Sequence, residues 1–226
     1  MKDFFKKIPF IRAIVQFAYV GFFKLLKLFP GSESYWERRY QSGGTSGAGS
    51  YGRFAEFKAE IINGFVIDKQ VGSVIEYGCG DGNQLTLSAY SSYIGFDVSR
   101  EAISRCQYTF ANDETKSFKL ITAYANETAQ LTLSLDVIYH LTEDEVFYAY
   151  MKRLFESSTK YVIIYSSNTD EQERIQTPHV RHRDFSKWIK ENRPDWRLIQ
   201  KIPNRYPYSV QNKDGSFADF YLYEKV

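Results

Sequence analysis

A glycine-rich segment at residues 76–82 (EYGCGDG) constrains the fold of this chain most, because it overlaps the end of a short apolar β run at residues 74–77. Glycine lets a backbone bend sharply and approach a ligand closely, and a helix that begins behind such a turn offers free N–H groups. Asn83 and Gln84 stand where a P-loop requires Lys and Ser or Thr, and the third glycine comes one residue too early for the dinucleotide fingerprint. The segment predicts a strand, a ligand-binding turn and a helix.

Strands and helices alternate along the chain from residue 71 onward. Apolar β runs occupy residues 74–77, 93–96, 118–121, 131–135 and 161–165, and a closing pair of strands is predicted at 196–202 and 217–224. Helices are predicted at 53–66, at 99–108 with Ser99 as its cap, at 143–155 with Thr142 as its cap, and at 185–191. Repeated β-then-α order predicts an α/β fold, with a parallel sheet and helices on both faces.

The chain has 226 residues, which is enough for one large domain, predicted at 32–226, with an N-terminal extension at 1–31. We interpret the extension as an amphipathic helix that ends at Pro30 and Gly31. It packs on its own domain or a second subunit, or it lies on a membrane surface. Its longest charge-free run, residues 13–23, is too short to span a bilayer. The net charge of +2 argues against nucleic acid as a partner, and the two cysteines favour a reducing cytoplasm.

The string E-x-G-x-G-x-G that begins at Glu76 resembles the first motif of the class I S-adenosylmethionine (SAM)-dependent methyltransferases. The resemblance implies a Rossmann-like, mostly parallel seven-stranded sheet with an antiparallel closing strand. It also implies SAM as the cofactor, with its amino group held by Glu76 through a charge-assisted contact. The turn around the methionine part of SAM would consist of Gly78, Cys79, Gly80 and Gly82.

Two further segments support the same resemblance. Asp97 ends the next β run, 19 residues after Gly78, and an acid there can accept hydrogen bonds from both ribose hydroxyls. Residues 94–99 (IGFDVS) resemble the family's second motif, which makes Val98 a further cofactor contact. Many relatives carry an acid after the third strand that binds the adenine amine. Residues 122–126 (TAYAN) stand there instead, so Asn126 or backbone groups are expected to serve.

Residues 133–141 (LSLDVIYHL) resemble the family's fourth-strand motif, whose loop borders the transferring methyl group. A carboxylate acceptor, or an amine that is already neutral, needs no base, whereas a hydroxyl acceptor must lose its proton during attack. His140 is our first candidate for that base, because an unperturbed imidazole has a pKa of about 6.5. Alternatively, His140 only hydrogen-bonds the loop. Asp136 either orients the acceptor or caps the turn.

A basic loop at residues 179–183 (HVRHR) follows the fifth strand and suits an anionic acceptor such as a phosphate, a carboxylate or an acidic sugar. Its candidate substrate contacts are His179, Arg181, His182 and Arg183. Alternatively the loop is a solvated basic surface. No metal site is expected, because no cysteine or further histidine lies near in sequence. Residues 32–52 are either a lid over SAM, with Tyr51 as a substrate contact, or a plain linker.

The leading hypothesis is therefore a SAM-dependent enzyme that methylates a small molecule or glycan. The acceptor would be a hydroxyl or a phosphate on a surface-polysaccharide or lipid-linked intermediate, and the enzyme would work in the cytoplasm or at the inner face of the membrane. That choice of pathway is an analogy. Two alternatives stay open: a protein or nucleic-acid methyltransferase, and a catalytically silent SAM-binding module.

Overall fold

The computed structural model describes residues 29–172, 177–209, 212 and 214–226. Its centre is a seven-stranded sheet in the order β3-β2-β1-β4-β5-β7-β6. The pairings from β3 to β5 are all parallel, and β7 runs antiparallel to both of its neighbours. This confirms the predicted Rossmann-like sheet with an antiparallel closing strand. The strands are β1 (Val74–Tyr77), β2 (Tyr93–Asp97), β3 (Lys116–Leu120), β4 (Ala129–Leu135), β5 (Ser158–Ser166), β6 (Trp196–Ile202) and β7 (Asp219–Lys225).

Five α-helices in the described residues surround the sheet. They are α1 (Ser32–Gln41), α2 (Gly52–Asp68), α3 (Arg100–Thr109), α4 (Asp144–Glu156) and α5 (Phe185–Asn192). Apolar side chains of α2 and α3 pack on one face of the sheet, and those of α4 and α5 pack on the other. Alternation along β1 divides its side chains accordingly, with Val74 in the first core and Ile75 and Tyr77 in the second. The prediction of helices on both faces is confirmed.

The prediction of an α-helix behind the glycine-rich turn is wrong. A short 3₁₀ helix (Gln84–Leu87) stands there instead. Asn63 of α2 ends it, because its side chain donates to the carbonyl of Leu87 and accepts from the N–H of Ala89. The chain must also return to the start of β2 at Tyr93, which leaves too few residues for a full α-helix and its connection.

The observed helix caps agree in part with the caps predicted from the sequence. Ser99 caps α3 by accepting a hydrogen bond from the N–H of Ala102 at 3.2 Å, as predicted. Thr142 was predicted to cap α4, but Glu143 occupies the N-cap position and its side chain makes no capping bond. The expected helix at residues 1–31 falls almost entirely outside the described residues, so it stays a prediction. No helix in the described part of the chain is long and apolar enough to cross a membrane.

Candidate active site

A cavity of about 340 Å³ opens at the carboxyl ends of β1, β2 and β4. In the strand order, β1 lies between β2 and β4, so this is the crevice where open α/β sheets bind their ligands. The cavity brings together most of the residues that the three sequence motifs single out. Those that line it are Glu76, Gly78, Cys79, Gly80, Asp97, Val98, Asp136 and His140.

The turn after β1 requires glycine at three positions. Gly78, Gly80 and Gly82 have φ values of 84°, 59° and 79°, which L residues with side chains rarely adopt. A Cβ atom on Gly78 would lie 2.5 Å from Cγ2 of Val137, and one on Gly80 would collide with Oγ of Ser46. The turn is therefore confined between the loop after β4 and residues before α2, which keeps the backbone of Gly78 and Gly80 exposed to the cavity.

Glu76 is buried at the end of β1, and its carboxylate lines the cavity. The hydroxyl of Tyr93 donates a hydrogen bond to its Oε2 at 2.7 Å. Burial raises the pKa of Glu76 to about 7, and the hydrogen bond from Tyr93 and the charge of Lys58 offset part of this rise. A desolvated carboxylate of this kind gains most from a cation that enters the cavity.

Asp97 is the second buried carboxylate of the cavity. Its two oxygens accept hydrogen bonds from the N–H groups of Gly80 and Ser99, both at 2.9 Å. Burial raises the pKa of Asp97 to about 6 against the lowering effect of these bonds. Each carboxylate oxygen has a second lone pair, so the pair of oxygens can still accept from a ligand diol.

The structure also places a buried lysine in the cavity wall that the sequence analysis did not single out. Lys58 of α2 is fully buried, and its Nζ lies 2.6 Å from Oδ2 of Asp136. A signal was present in the sequence, because position 58 lies on the apolar stripe of α2, four residues after Phe54 and four before Ile62. A lysine there must be paired or functional, since an isolated buried charge is costly.

Asp136 follows β4 with a left-handed backbone, φ 60°. Its Oδ2 pairs with Lys58, and its Oδ1 accepts a hydrogen bond from the hydroxyl of Tyr139 at 2.8 Å. A Cβ on Gly49 would lie 2.9 Å from Oδ2, so the backbone of that residue lies directly against the carboxylate. Asp136 is therefore held in place and its charge is compensated.

His140 lies in the wall of the cavity with one ring nitrogen already committed. Its Nδ1 is 2.9 Å from the backbone carbonyl oxygen of His179. A carbonyl can only accept, so Nδ1 carries the proton and Nε2 of the neutral ring keeps its lone pair. Burial lowers the pKa of His140 to about 4, and the ring is neutral at physiological pH. The Nε2 lone pair is therefore free at physiological pH, on an imidazole that burial makes a weaker base than a free one.

Aromatic rings of α1 enclose this histidine. Trp36 meets His140 edge-on with centroids 4.8 Å apart, and Tyr35 stacks on His179 at 4.4 Å with an angle of 10° between the rings. The first residue of α1, Ser32, donates hydrogen bonds from its N–H and its hydroxyl to the carboxylate of Glu143. α1 is therefore anchored to the start of α4 and shields the histidine side of the cavity from water.

The sequence of this chain matches a known protein family. Residues 68–214 match the family model of a methyltransferase domain. This chain belongs to the class I SAM-dependent methyltransferases. The comparison with curated protein sequences finds no match.

Solved structures share the fold of this methyltransferase at low sequence identity. The N-methyltransferase NodS from Bradyrhizobium japonicum, in complex with S-adenosylhomocysteine (SAH), has a TM-score of 0.65 at 13% identity, covering 86% of this chain and 98% of its own. The magnesium protoporphyrin IX methyltransferase ChlM from Synechocystis, with bound SAH, has a TM-score of 0.59 at 15% identity, covering 95% and 100%. The methyltransferase domain of bacterial Hen1 has a TM-score of 0.57 at 18% identity, covering 74% and 96%.

SAM is the methyl donor of the family, and the residues of the cavity fit it. The cradle at Gly78 has no room for a Cβ, which is what close approach of the backbone to a ligand requires. Two desolvated carboxylates, Glu76 and Asp97, would be available to the two parts of SAM that donate hydrogen bonds, its ammonium and its ribose diol. Gln84 adds a buried side-chain oxygen that has no hydrogen-bond partner among the described residues.

Residues 46–51, at the end of the segment 32–52 for which a lid or a linker was predicted, contact the glycine-rich turn. Asp81 in the turn accepts hydrogen bonds from the N–H of Ser46 and from the hydroxyl of Tyr51, both at 2.8 Å. The side-chain amide of Asn83 donates to the carbonyl of Ser50 at 2.6 Å. Tyr51 itself is part of a shallow open groove on the outer side of the turn, and it does not line the cavity. Its predicted role as a substrate contact has no geometric support.

The basic loop differs from its predicted role as an anion site. The guanidinium of Arg183 is buried and donates to the carbonyls of Leu141 and Thr142 and to Asp144 at 2.6 Å. Arg181 pairs with the same carboxylate at 2.8 Å. Both charges are therefore used in joining the loop to the start of α4, and neither side chain lines the cavity.

The two histidines of the basic loop differ in position. His182 is buried, and its Nδ1 lies 2.7 Å from Oγ of Ser167, away from the cavity. His179 acts through its backbone carbonyl, which binds His140, and through its ring, which stacks on Tyr35. The loop thus contributes to the site by positioning His140.

Asn126, the predicted adenine contact, does not line the cavity and has a left-handed backbone, φ 66°. Ile121 and Thr122 line that part of the cavity instead. Cys79 lines the cavity from within the turn, but its Sγ is buried toward Gly95 of the next strand. In the described part of the chain, no group of three or more His, Cys, Asp or Glu side chains is arranged to hold a metal ion.

Proposed function

We propose that this methyltransferase transfers the methyl group of SAM to a hydroxyl group of a small molecule or glycan. The observation that carries the proposal is the hydrogen bond from Nδ1 of His140 to the carbonyl of His179. It leaves Nε2 as a proton acceptor in the cavity wall, which a hydroxyl acceptor needs and a carboxylate or an already neutral amine does not.

The bound donor would lie with its ammonium at Glu76, its ribose hydroxyls at Asp97, and its adenine between Val98 and residues 121–122. SAM supplies a methyl group bonded to a sulfonium, and the neutral thioether that remains after transfer is a good leaving group. The chain supplies alignment of the acceptor, exclusion of water by α1, and removal of the hydroxyl proton by His140. The loop after β4, which carries Asp136 and His140, borders the reacting methyl in this placement.

The ion pairs in the cavity and in the basic loop beside it favour a neutral acceptor over an ionic one. Lys58 compensates Asp136, which removes the free carboxylate that a cationic amine would seek. Arg181 and Arg183 are paired with Asp144, which removes the free guanidinium groups that a phosphate or acidic sugar would seek. A hydroxyl on a neutral part of the acceptor needs neither a free carboxylate nor a free guanidinium group.

The test is to incubate the full chain with methyl-labelled SAM and separate cell fractions of sugars, lipids, protein and RNA. We expect label in the sugar or lipid fraction that survives mild alkali, because methyl ethers resist hydrolysis and methyl esters do not. His140→Gln should lose this labelling. Alkali-labile label would mean a carboxylate acceptor, label recovered as methyl phosphate would mean a phosphate acceptor, and label in protein or RNA would overturn the proposal in favour of a macromolecular substrate.

We also propose that the acceptor is a surface-polysaccharide or lipid-linked intermediate, reached at the inner face of the membrane. The support is the pattern of Lys and aromatic residues at 1–30 in the sequence. Flotation of the full chain with vesicles of anionic phospholipid tests this. Binding that weakens with salt is expected, and a chain that stays at the bottom of the gradient at low salt would contradict it.

A further inference from the structure

Three rings stack in a row behind the cavity wall. The ring of Tyr35 in α1 lies on the ring of His179, with centroids 4.4 Å apart and an angle of 10° between the planes. The ring of His179 lies in turn on that of His140, with centroids 5.4 Å apart and an angle of 19°. Of the three, His140 lines the cavity and the other two do not. Tyr35 and His179 would therefore act on a reaction in the cavity through His140.

The backbone of His179 is what binds the imidazole of His140. Its carbonyl oxygen is 2.9 Å from Nδ1, and this is the one hydrogen bond of the His140 ring among the described residues. In a neutral imidazole, the hydrogen bond that the ring makes decides which nitrogen carries the proton. The position of this carbonyl therefore selects the Nδ1–H form of His140 and leaves the lone pair on Nε2.

The loop that carries this carbonyl is restrained at two places. The N–H of Arg181 donates to the carbonyl of Tyr139 at 2.8 Å, which fixes the loop two residues after His179. The side chain of His179 makes no hydrogen bond among the described residues, and its ring packs on Tyr35 and His140. Tyr35 belongs to α1, which is itself anchored to the start of α4. Stacking by Tyr35 is therefore the restraint on His179 that comes from outside the loop and the base.

We propose that Tyr35 is a positioning residue for His140. By stacking on His179, Tyr35 keeps the carbonyl of that residue at Nδ1 of His140, and so keeps Nε2 free to accept the hydroxyl proton. The inference rests on the proposed function, in which His140 is the base, and deepens it. If Tyr35 contributed to stability alone, its loss would lower the free energy of unfolding and leave the tautomer of His140 unchanged.

A ¹⁵N–¹H correlation spectrum of the imidazole rings at pH 7 reads the tautomer and needs no acceptor. In Tyr35→Leu, which removes the flat ring, the Nδ1 and Nε2 shifts of His140 should move toward each other as the Nε2–H form becomes populated. Tyr35→Phe keeps the ring and should keep the wild-type shifts. Tyr148→Leu is the matched control, because Tyr148 is an exposed tyrosine of α4 outside the cavity. Unchanged His140 shifts in folded Tyr35→Leu would overturn the assignment.

Turnover of the acceptor fraction that becomes labelled gives the second readout. Tyr35→Leu should lower kcat about ten- to a hundred-fold, the effect expected when a catalytic group is misplaced, and should leave the Kd for SAM within about two-fold. Tyr35→Phe should recover most of the lost turnover, because stacking needs the ring and not the hydroxyl. A Tyr35→Leu variant with the kcat of the wild type would overturn the assignment.

A second variant decides the question if Tyr35→Leu does not fold. His179→Leu removes the middle ring of the stack and leaves the backbone carbonyl in the chain, so the nitrogen shifts of His140 should move in the same direction. Shifts that stay at their wild-type values in this variant would overturn the assignment. Full labelling by His140→Gln would instead refute the proposed function, while the nitrogen shifts would still decide whether Tyr35 positions the ring.

Discussion

The hydroxyl of Tyr93 donates a hydrogen bond to Oε2 of Glu76 at 2.7 Å, across two adjacent strands of the sheet. The bond is made under the active-site cavity, where Glu76 is 4% exposed. It favours the ionised carboxylate, but burial outweighs it and raises the pKa of Glu76 to about 7. Between about pH 4.5 and 7, Glu76 of the folded chain therefore keeps a proton that the unfolded chain releases.

The first prediction concerns the stability of the ligand-free enzyme. The pKa of Glu76 is about 7 in the folded state against 4.5 ordinarily, so its contribution to stability is complete below pH 4.5 and is lost as pH rises to 7. The loss is at most roughly 3 kcal/mol. Urea unfolding at pH 5, 6 and 7 should show a smaller decline for Glu76→Gln than for wild type. An equal decline of stability with pH in both proteins would contradict the raised pKa of Glu76. Asp97→Asn provides a comparison, because burial also raises the pKa of Asp97.

The second prediction concerns the turn. Gly78→Ala should destabilise the protein by about 2 to 5 kcal/mol and abolish the thermal shift caused by SAM, because φ is 84° and the new Cβ would press on Val137. Gly64→Ala is the matched control, since nothing lies within 4 Å of its Cβ position in α2. It should stabilise by about 0.5–1 kcal/mol and keep the SAM response. A normal SAM response in Gly78→Ala would show that the turn is not part of the donor site.

The third prediction concerns the ionisation of His140. The chain has three histidines, which simplifies a ¹⁵N–¹H correlation spectrum of the imidazole rings. At pH 7 His140 should be neutral with the proton on Nδ1, and it should take up a second proton only near pH 4. The signal lost in His140→Gln provides the assignment. An Nε2–H tautomer at pH 7 would rule His140 out as the base.

The third prediction also covers the pH profile of turnover, which depends on the same histidine. With saturating SAM and an acceptor fraction that becomes labelled, kcat should stay level from pH 8 down to about 5, because the pKa of His140 is lowered to about 4. His140→Gln should reduce kcat about 10²- to 10⁴-fold and leave SAM affinity within a few-fold. His182→Gln, the same substitution outside the cavity, is the control and should change kcat far less at equal folded concentration.

The fourth prediction concerns residues 32–52, for which a lid was predicted. Asp81 accepts hydrogen bonds from Ser46, Tyr51 and Asn83, so Asp81→Asn should loosen residues 42–51 over the turn. SAH should then dissociate several-fold faster in stopped-flow experiments, and the segment should be cut sooner by protease. Tyr51→Phe removes one of the three bonds and should give a smaller effect in the same direction. If neither variant changes dissociation, residues 32–52 do not gate the cavity.

The fifth prediction contrasts two arginines that share a carboxylate. Arg183→Gln should destabilise the protein by about 2–4 kcal/mol, because its side chain is 8% exposed and satisfies two backbone carbonyls. Arg181→Gln should cost no more than about 1 kcal/mol, as expected for an exposed pair with Asp144. Chemical unfolding measures both. A large loss of acceptor binding in Arg181→Gln, without loss of stability, would restore the anion-binding role that the sequence suggested.

The sheet was predictable because its strands are short apolar runs at regular intervals, such as residues 161–165 within β5. The motif acids at Glu76 and Asp97 were predictable for a related reason, since parallel strands bring their carboxyl ends to one edge. The 3₁₀ helix behind the turn was not, because the hydrogen bonds at its end come from Asn63, a side chain of another helix. α1 was also missed, because its polar composition hides a helix that is anchored by Glu143.

Tertiary pairing explains the remaining differences at the site. The sequence of the loop at residues 179–183 shows its positive charges but does not show which carboxylate pairs with them. That carboxylate belongs to Asp144, which lies 39 residues from Arg183 in the sequence. Lys58 was missed because the residues around it follow the apolar pattern of an amphipathic helix. Its charge on the apolar stripe of that helix was the signal of a paired or functional lysine. The tautomer of His140 depends on a backbone carbonyl, which no side-chain motif encodes.

The walls of the cavity are drawn from a long stretch of the chain, from Ser32 in α1 to Arg153 in α4. A partly folded chain therefore lacks the assembled contacts that would hold SAM, and the donor binds only the native state. Occupancy then protects the whole domain against unfolding, by an amount set by the free SAM concentration relative to its Kd. Cells depleted of methionine should accordingly degrade this enzyme faster, which ties its abundance to the supply of the methyl group that it uses.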